Sequence, residues 1–247
     1  MGIDLGGTSI NGGIISEEGE ILKCIERETG KGVGAYEVLR RITLVINELL
    51  EYEYEIVGIG IGSPGFIDTV NGKVLSVGGN IEGWAGTNIR EELIKCFSKY
   101  EIVVGNDANV AGICEAWIGA GKHFSSFIML TLGTGLGGVI YTREMGIWKG
   151  HNFQGGELGH AILYPNGRKC ACGQYGCAEQ YVSGPAVEKL YYELTGEIKK
   201  GKDIFSSCEH NKNAELIINN FVDNLAIYIS SLKNIFDPEG IVIGGGV

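Results

Sequence analysis

His160, Cys170, Cys172 and Cys177 lie close together along the chain. One imidazole and three thiolates form a Cys3His donor set, which suits a tetrahedral Zn2+ ion in a closed structural site. Gly173 and Gly176 let the backbone turn tightly enough to bring the donors around one ion. Free thiols in a loop explain such crowding poorly. The spacing therefore predicts zinc bracing a segment that has little core of its own.

Two glycine turns offer a second kind of chemistry. Asp4-Leu-Gly-Gly-Thr8 sets a carboxylate at a strand end, followed by two residues without side-chain bulk. Gly6 and Gly7 would expose backbone N–H groups to a phosphate, Thr8 would add its hydroxyl, and Asp4 could hold Mg2+ through water. Thr131-Leu-Gly-Thr-Gly-Leu-Gly-Gly138 repeats the device, with Thr131, Gly133, Thr134 and Gly135 as the corresponding residues. A lone glycine turn is usually a β-hairpin. Two of them, each following an apolar strand, point to phosphate. Neither fits Gly-x-x-x-x-Gly-Lys-Ser/Thr, so this is not a P-loop NTPase, and neither sits in the strand-to-helix context of a Gly-x-Gly-x-x-Gly dinucleotide turn.

A third candidate is Asn106-Asp107, which follows a β-run and opens a helix. Asp and Asn are favoured helix caps. The other reading makes Asp107 the group that takes a proton from a hydroxyl as it attacks a γ-phosphate. These residues alone leave the two readings balanced.

The elements that must position these groups alternate between strand and helix. Met1–Leu5 reads as the end of a buried strand, and Ile14-Ile15 with Ile21–Ile25 continue a meander through the polar turn Ser16–Gly19. Val33–Leu50 has helical spacing, with Val38, Leu39, Ile42, Val45, Ile46 and Leu49 on one face. Ile56–Gly62 is a β-run stopped by Ser63-Pro64-Gly65, Ile89–Phe97 is helical and Ile102–Val104 is a short strand. A helix then runs to about Trp117, and Phe127–Leu132 with Gly138–Tyr141 repeat the opening order of strand, glycine turn, strand. Lys149–Val182 is loop-rich. Helices near Pro185–Leu194 and Ala214–Ile235 lead into the strand Ile241–Ile243 and Gly244-Gly245-Gly246. The repeat implies an α/β protein of two related lobes, 1–106 and 107–247, each with its own phosphate loop. The abrupt first strand and the strand ending in three glycines read as a chain clipped at both ends.

Composition narrows the partners. There are 41 glycines among 247 residues, about 17% against an average near 7%, and they cluster beside apolar segments. A formal charge of −10 and the lack of a Lys/Arg-rich stripe argue against nucleic acid. No apolar run is long enough to span a bilayer, and no signal peptide precedes Asp4, so a cytoplasmic location is expected. An odd count of seven cysteines fits metal ligation in a reducing compartment better than disulfides. Cys24, Cys96, Cys114 and Cys208 are scattered and are expected to pack in the interior.

Together these residues resemble the ROK family of sugar kinases and sugar-responsive repressors. The most specific element is Glu157-Leu-Gly-His160 followed by Gly167-Arg-Lys-Cys-Ala-Cys-Gly-Gln-Tyr-Gly-Cys-Ala-Glu179, which matches the family signature Gly-x-x-Cys-x-Cys-Gly-x-x-Gly-Cys-x-Glu. Asp4–Thr8, Ser63-Pro64-Gly65, Asn80–Trp84, Gly105–Asn109, Thr131–Gly138 and Ile241–Gly246 follow in family order. The resemblance implies an actin-like, ribonuclease H-like kinase fold with a cleft between a smaller and a larger lobe. It implies ATP-dependent phosphorylation of a hexose with Asp107 as general base. Hexose hydroxyls would be held by Gly65, Asn80, Asn106, Asp107, Glu157, His160 and Glu179, and adenosine would rest near Gly244 and Gly245. Glucose leads among the sugars, with N-acetylglucosamine, N-acetylmannosamine, mannose, allose and fructose as alternatives. A non-catalytic sugar sensor is the reading from another class, and the lack of a helix-turn-helix before Asp4 counts against it. ROK kinases carry several dozen further residues in C-terminal helices, expected to be missing here, and self-association as a dimer or tetramer is plausible for the family.

Overall fold

Ile3 and Leu5, alternating with Gly2 and Asp4, place two apolar side chains on one face of strand β1 (Gly2–Leu5). The computed structural model describes residues 1–30, 32–77 and 81–247. The chain divides into two units, Met1–Ile118 with Lys149–Gln154, and Gly119–Trp148 with Gly155–Val247.

In the first unit β1 is followed by β2 (Ser9–Ile15) and β3 (Ile21–Glu28). The hairpin between them turns at Ser16, whose Oγ accepts from the Glu18 and Glu20 N–H groups. Helix α1 (Ala35–Leu50) comes next, then β4 (Gly58–Ser63), the small hairpin β5 (Phe66–Asp68) and β6 (Lys73–Ser76), helix α2 (Ile89–Phe97), β7 (Glu101–Asn106) and helix α3 (Asp107–Trp117). Among the described residues the main sheet has five strands in the order β3-β2-β1-β4-β7. β1 pairs antiparallel with β2 and parallel with β4, which pairs parallel with β7. Helix α1 buries Val38, Ile42, Val45, Ile46 and Leu49, the helical face expected from their spacing. It lies so close to β2 that a Cβ at Gly12 would stand 2.5 Å from Val45. A glycine there lets the helix seat directly on the strand backbone.

The second unit opens with β8 (Ser126–Leu132), β9 (Leu136–Thr142) and β10 (Gly146–Ile147). Two 3-10 turns, Leu158–His160 and Ala178–Gln180, interrupt the following loop. Helices α4 (Gly184–Thr195), α5 (Gly201–Ser206) and α6 (Lys212–Phe236) and strand β11 (Gly240–Gly245) complete the unit. Its sheet runs β10-β9-β8-β11, with β11 parallel to β8. Helix α4 starts where the Ser183 side chain accepts from the Ala186 N–H, with Pro185 in its first turn, and stops at left-handed Gly196. Each unit thus has a hairpin whose first strand pairs in parallel with a later one, the internal echo expected from the glycine turns. No helix among the described residues is long and apolar enough to cross a membrane.

The structure differs from the sequence reading in four places. The β5–β6 hairpin and helix α5 were not anticipated, because neither has an apolar period long enough to register. Strand β2 begins at Ser9, well before Ile14: Gly12, which breaks its apolar pattern, is the position on which α1 rests. Helix α3, assigned from sequence to the second lobe, lies in the first unit. Cys24, Cys96 and Cys114 are exposed and Cys208 is only partly covered, so these four do not pack in the interior as expected. Exposed positions on β3, α2 and α3 carry Cys24, Cys96 and Cys114, and Cys208 follows the end of α5.

Trp84 is fully buried, and its indole N–H donates to the Ser63 Oγ at 3.1 Å at the end of β4. Ser63→Ala should leave that donor unpaired in the core and lower the unfolding free energy by about 1–3 kcal/mol in urea titrations. An unchanged midpoint would show that the indole does not depend on Ser63.

Candidate active site

The carboxylates of the first unit stand at the ends of its parallel strands. Asp4 pairs in register with Gly62 of β4, and Gly62 pairs with Gly105 of β7, so three chain segments without large side chains meet in a row. A Cβ at Gly62 would lie 3.9 Å from both the Asp4 Oδ1 and the Asp107 Cα. The two aspartates are therefore neighbours. Crowding by neighbouring atoms raises the Asp107 carboxyl above its ordinary range, although the residue is exposed at the surface, which tempers the shift. The Ala108 N–H opposes that shift, and the Asp4 charge adds to it.

The β7–α3 junction separates the two readings of Asn106-Asp107. The Asn106 Oδ1 accepts from the Asn109 N–H at 3.1 Å and is the helix cap. Its Nδ2 donates to the Gly65 carbonyl at 3.0 Å, which joins two residues expected to hold substrate. Asp107 sits one position later, inside the first turn, and is not the capping residue. The other expected substrate residue of this unit, Asn80, lies outside the described residues.

The first glycine turn follows β1. The Gly6 N–H donates to the Ser9 carbonyl at 2.8 Å, and Gly7 and Thr8 are exposed. Thr29, itself buried, closes the turn from beneath: its Oγ1 donates to the Gly6 carbonyl and its N–H to the Thr8 carbonyl.

In the second unit the four zinc candidates converge. One donor atom from each of His160, Cys170, Cys172 and Cys177 lies within 4.8 Å of the others. The His160 Nδ1 is 3.6 Å from the Cys170 Sγ, and the Cys172 Sγ is 3.6 Å from the Cys177 Sγ. Zn–S bonds of about 2.3 Å at tetrahedral angles set sulfurs roughly 3.8 Å apart, so these spacings fit one ion. Gln180 and Gln174 direct amide N–H groups at the Cys170 and Cys172 sulfurs from 3.6 and 3.7 Å, as outer partners of thiolate ligands do. With Nδ1 turned toward the sulfurs, the His160 Nε2 faces the Glu157 Oε2 at 3.9 Å. The 3-10 turn carrying that pair is held from behind. The Tyr228 hydroxyl on α6 donates to the Leu158 carbonyl. One turn earlier on the same helix, Asn224 accepts from the Tyr164 hydroxyl at 2.6 Å.

The second glycine turn, between β8 and β9, is clasped by the same segment. A Cβ at Gly159 would stand 2.0 Å from the Leu136 carbonyl oxygen, and one at Gly138 would stand 2.6 Å from that of Gly156. The Leu136 N–H donates to the Glu179 Oε2 at 3.1 Å. On its other side the Gly184 N–H donates to the Gly133 carbonyl, and the Gly246 N–H donates to that of Leu132. Gly244 and Gly245 pair with Thr131 and Leu132 across β11 and β8. Beside this turn a cavity of about 700 Å3 is bounded by Gly133, Thr134, Gly184, Glu188, Lys200 and Gly246, among others. Gly184, Glu188 and Lys200 were not foreseen. The Ser183-Gly-Pro185 helix start was their only sequence signal, since the Gly201 N–H reaches the Glu188 Oε1 across a loop, at 2.9 Å.

The ROK family model matches residues 1–247. A glucokinase of Thermotoga maritima is 37% identical, over 100% of this chain and 81% of its own length. An N-acetyl-D-glucosamine kinase of Vibrio cholerae is 32% identical, over 100% of this chain and 83% of its own. Among solved structures, the ROK hexokinase from Thermus thermophilus superposes with a TM-score of 0.87 at 30% identity, covering 99% of this chain and 80% of that one. A ROK family glucokinase from Streptomyces griseus, in complex with glucose and AMPPNP, gives 0.81 at 29% identity, covering 99% and 82%. These likenesses identify the topology as the actin-like, ribonuclease H-like α/β fold.

Burial raises the Tyr228 hydroxyl well above its usual range, so it remains a donor throughout the working pH range. Tyr228→Phe should strand the Leu158 carbonyl and cost about 1–3 kcal/mol of stability. Thermal and urea unfolding would measure it, and a neutral outcome would remove α6 as the support of the Glu157–His160 turn.

Proposed function

This chain belongs to the ROK family, and from that premise we propose that it transfers the γ-phosphoryl group of ATP to a hexose, with glucose as the sugar. The observation that carries the reading is the division of labour at the β7–α3 junction. Asn106 is the helix cap, which leaves Asp107 outside the capping position, its Oδ1 accepting from the adjacent Ala108 N–H. Its raised affinity for protons beside Asp4 suits a group that must accept one from a hydroxyl. Glucose is favoured because glucokinases stand at 37% and 33% identity over the whole chain. The 32% identity to N-acetylglucosamine kinases makes that sugar the competing substrate.

In this reading Asp107 takes the proton of the attacking hydroxyl, and Glu157, His160 and Glu179 accept or donate bonds to other ring hydroxyls, with Gly65, Asn80 and Asn106 contributing further contacts. The Gly6–Thr8 and Thr131–Gly135 turns offer N–H and hydroxyl donors to the phosphates, and Gly244 and Gly245 border the nucleoside. Mg2+ would neutralise phosphate charge, and Asp4 could hold it through water. His160, Cys170, Cys172 and Cys177 would hold one Zn2+, keeping the His160 Nε2 for the sugar. A reducing cytoplasm would keep those thiols available.

A coupled ADP-release assay over a hexose panel, with metal content measured in parallel, tests this directly. Glucose should give the highest kcat/KM and zinc should approach one per chain. Sugar-independent ADP release, or none at all, would sink the kinase reading. Asp107→Asn should cut kcat by a factor on the order of 10^2–10^4 while hexose binding by calorimetry stays within a few-fold of wild type. Comparable turnover would assign the base elsewhere.

The base works only when deprotonated, and its folded value is raised. The acid limb of kcat/KM should therefore lie above the ordinary aspartate value of ~3.9. Asp4→Asn removes a neighbouring negative charge and should move the limb of the residual activity to lower pH. A limb that stays fixed would mean that Asp4 does not tune the base.

A further inference from the structure

The zinc segment and the second glycine turn are in direct contact, through a residue that the sugar-binding reading alone does not explain. Glu179 lies two positions after Cys177, in the 3-10 turn Ala178–Gln180. That turn is fixed. Cys177 and Ala178 are fully buried, the Ala178 N–H donates to the Ala161 carbonyl at 2.9 Å, and Gln180 reaches the Cys170 sulfur. From this platform one carboxylate oxygen of Glu179 accepts from the Leu136 N–H at 3.1 Å, and a Cβ at Gly135 would stand 2.4 Å from the same oxygen. The carboxylate thus fills the space left by a missing side chain inside the Thr131–Gly138 turn. Its other oxygen lies 4.0 Å from the Cys170 Sγ.

We propose that Glu179 is a positioning residue for the nucleotide: it clamps the Gly135-Leu136 backbone to the zinc loop, so that filling the metal site sets the shape of the second phosphate loop. The metal then has a second task beyond orienting His160. It fixes Cys177, Cys177 fixes the turn, and the turn delivers one acceptor to Leu136. The Gly133 N–H folds back to the Gly135 carbonyl at 3.0 Å, so a displacement at Leu136 is passed to the tip of the loop. That tip, Gly133-Thr134, forms part of the wall of the 700 Å3 cavity. The clamp is a statement about structure, whereas its effect on nucleotide affinity rests on the kinase reading above. The two can be tested apart.

Glu179→Ala removes the acceptor, and Glu179→Gln keeps one in its amide oxygen while discarding the charge. Binding of the non-hydrolysable analogue AMPPNP with Mg2+, measured by calorimetry without sugar, should weaken about fivefold in the Ala variant, the equivalent of one net hydrogen bond. The Gln variant should recover most of that loss, although both variants lose hexose affinity. Hydrogen exchange of a peptide spanning 133–138 should quicken in the Ala variant and in zinc-chelated wild type. Chelation of the Ala variant should add no further change at Leu136, because the link is already cut. Wild-type AMPPNP affinity and wild-type exchange in Glu179→Ala would overturn the proposal, as would equal losses in Ala and Gln. If exchange follows Glu179 and zinc but no form of the protein binds AMPPNP, the clamp stands and the nucleotide role falls with the kinase reading.

Discussion

Backbone packed against backbone around Leu132–Leu136 is the constraint on which the second unit depends. The Leu136 carbonyl sits where a Gly159 side chain would be, and the Gly156 carbonyl sits where a Gly138 side chain would be. Side chains of any size at 138 or 159 would part the 3-10 turn from the β8–β9 hairpin. The hairpin tip is then held from three directions, by Glu179, by the start of α4 and by the end of β11. Every polar contact there involves a main-chain group, and main-chain groups move only when whole elements move. A loop that must present N–H groups to a phosphate needs this kind of support, since glycines supply no packing of their own.

The first unit solves the same problem with different parts. Its glycine turn is closed by the side chain and backbone of Thr29, which the adjacent strand end delivers into the core. Its Asp107 carboxylate is kept out of the capping position by its neighbour, because Asn106 both caps α3 and ties the Gly65 carbonyl. Had Asp107 been the cap, its oxygens would face helix N–H groups, which stabilise the charged form and lower proton affinity. With the cap one residue earlier, the Ala108 N–H still donates to the Asp107 Oδ1 at 2.8 Å, but desolvation outweighs it and the carboxyl is raised.

What could be read from the sequence follows the range of each interaction. The α1 face, the cysteine–histidine cluster and the internal echo are local patterns, and each appears in the structure at the expected residues. The role of Asn106 was readable as a cap, but its assignment over Asp107 required the geometry of the turn. Glu179 to Leu136 and Tyr228 to Leu158 join residues 43 and 70 positions apart, and no periodicity encodes such pairs. Strand β2 was underestimated for a related reason. Gly12 and Gly13 look like a break in an apolar run until α1 is seated on Gly12. The cysteines outside the cluster misled because burial was inferred from residue type, and a small thiol is tolerated on an exposed helix face as well.

Energetics connect the metal site to the glycine content. Ordering a residue costs about 1–2 kcal/mol of backbone entropy, and glycine costs the most. The stretch from Gly155 to Val182 has two short 3-10 turns and a few isolated bridges in place of a regular ladder. Its buried apolar residues, Leu158, Cys170, Cys177, Ala178 and Val182, are too few to offset that cost for the whole segment. A tetrahedral ion held by the four donors would offset part of the remainder. Rigidity so obtained extends past the four donors, because the glycine contacts leave no slack between the metal loop and the β8–β9 hairpin. The Glu157–His160 turn and the Gly133–Leu136 backbone would then be ordered by one ion, because the irregular segment is joined to the hairpin by main-chain contacts.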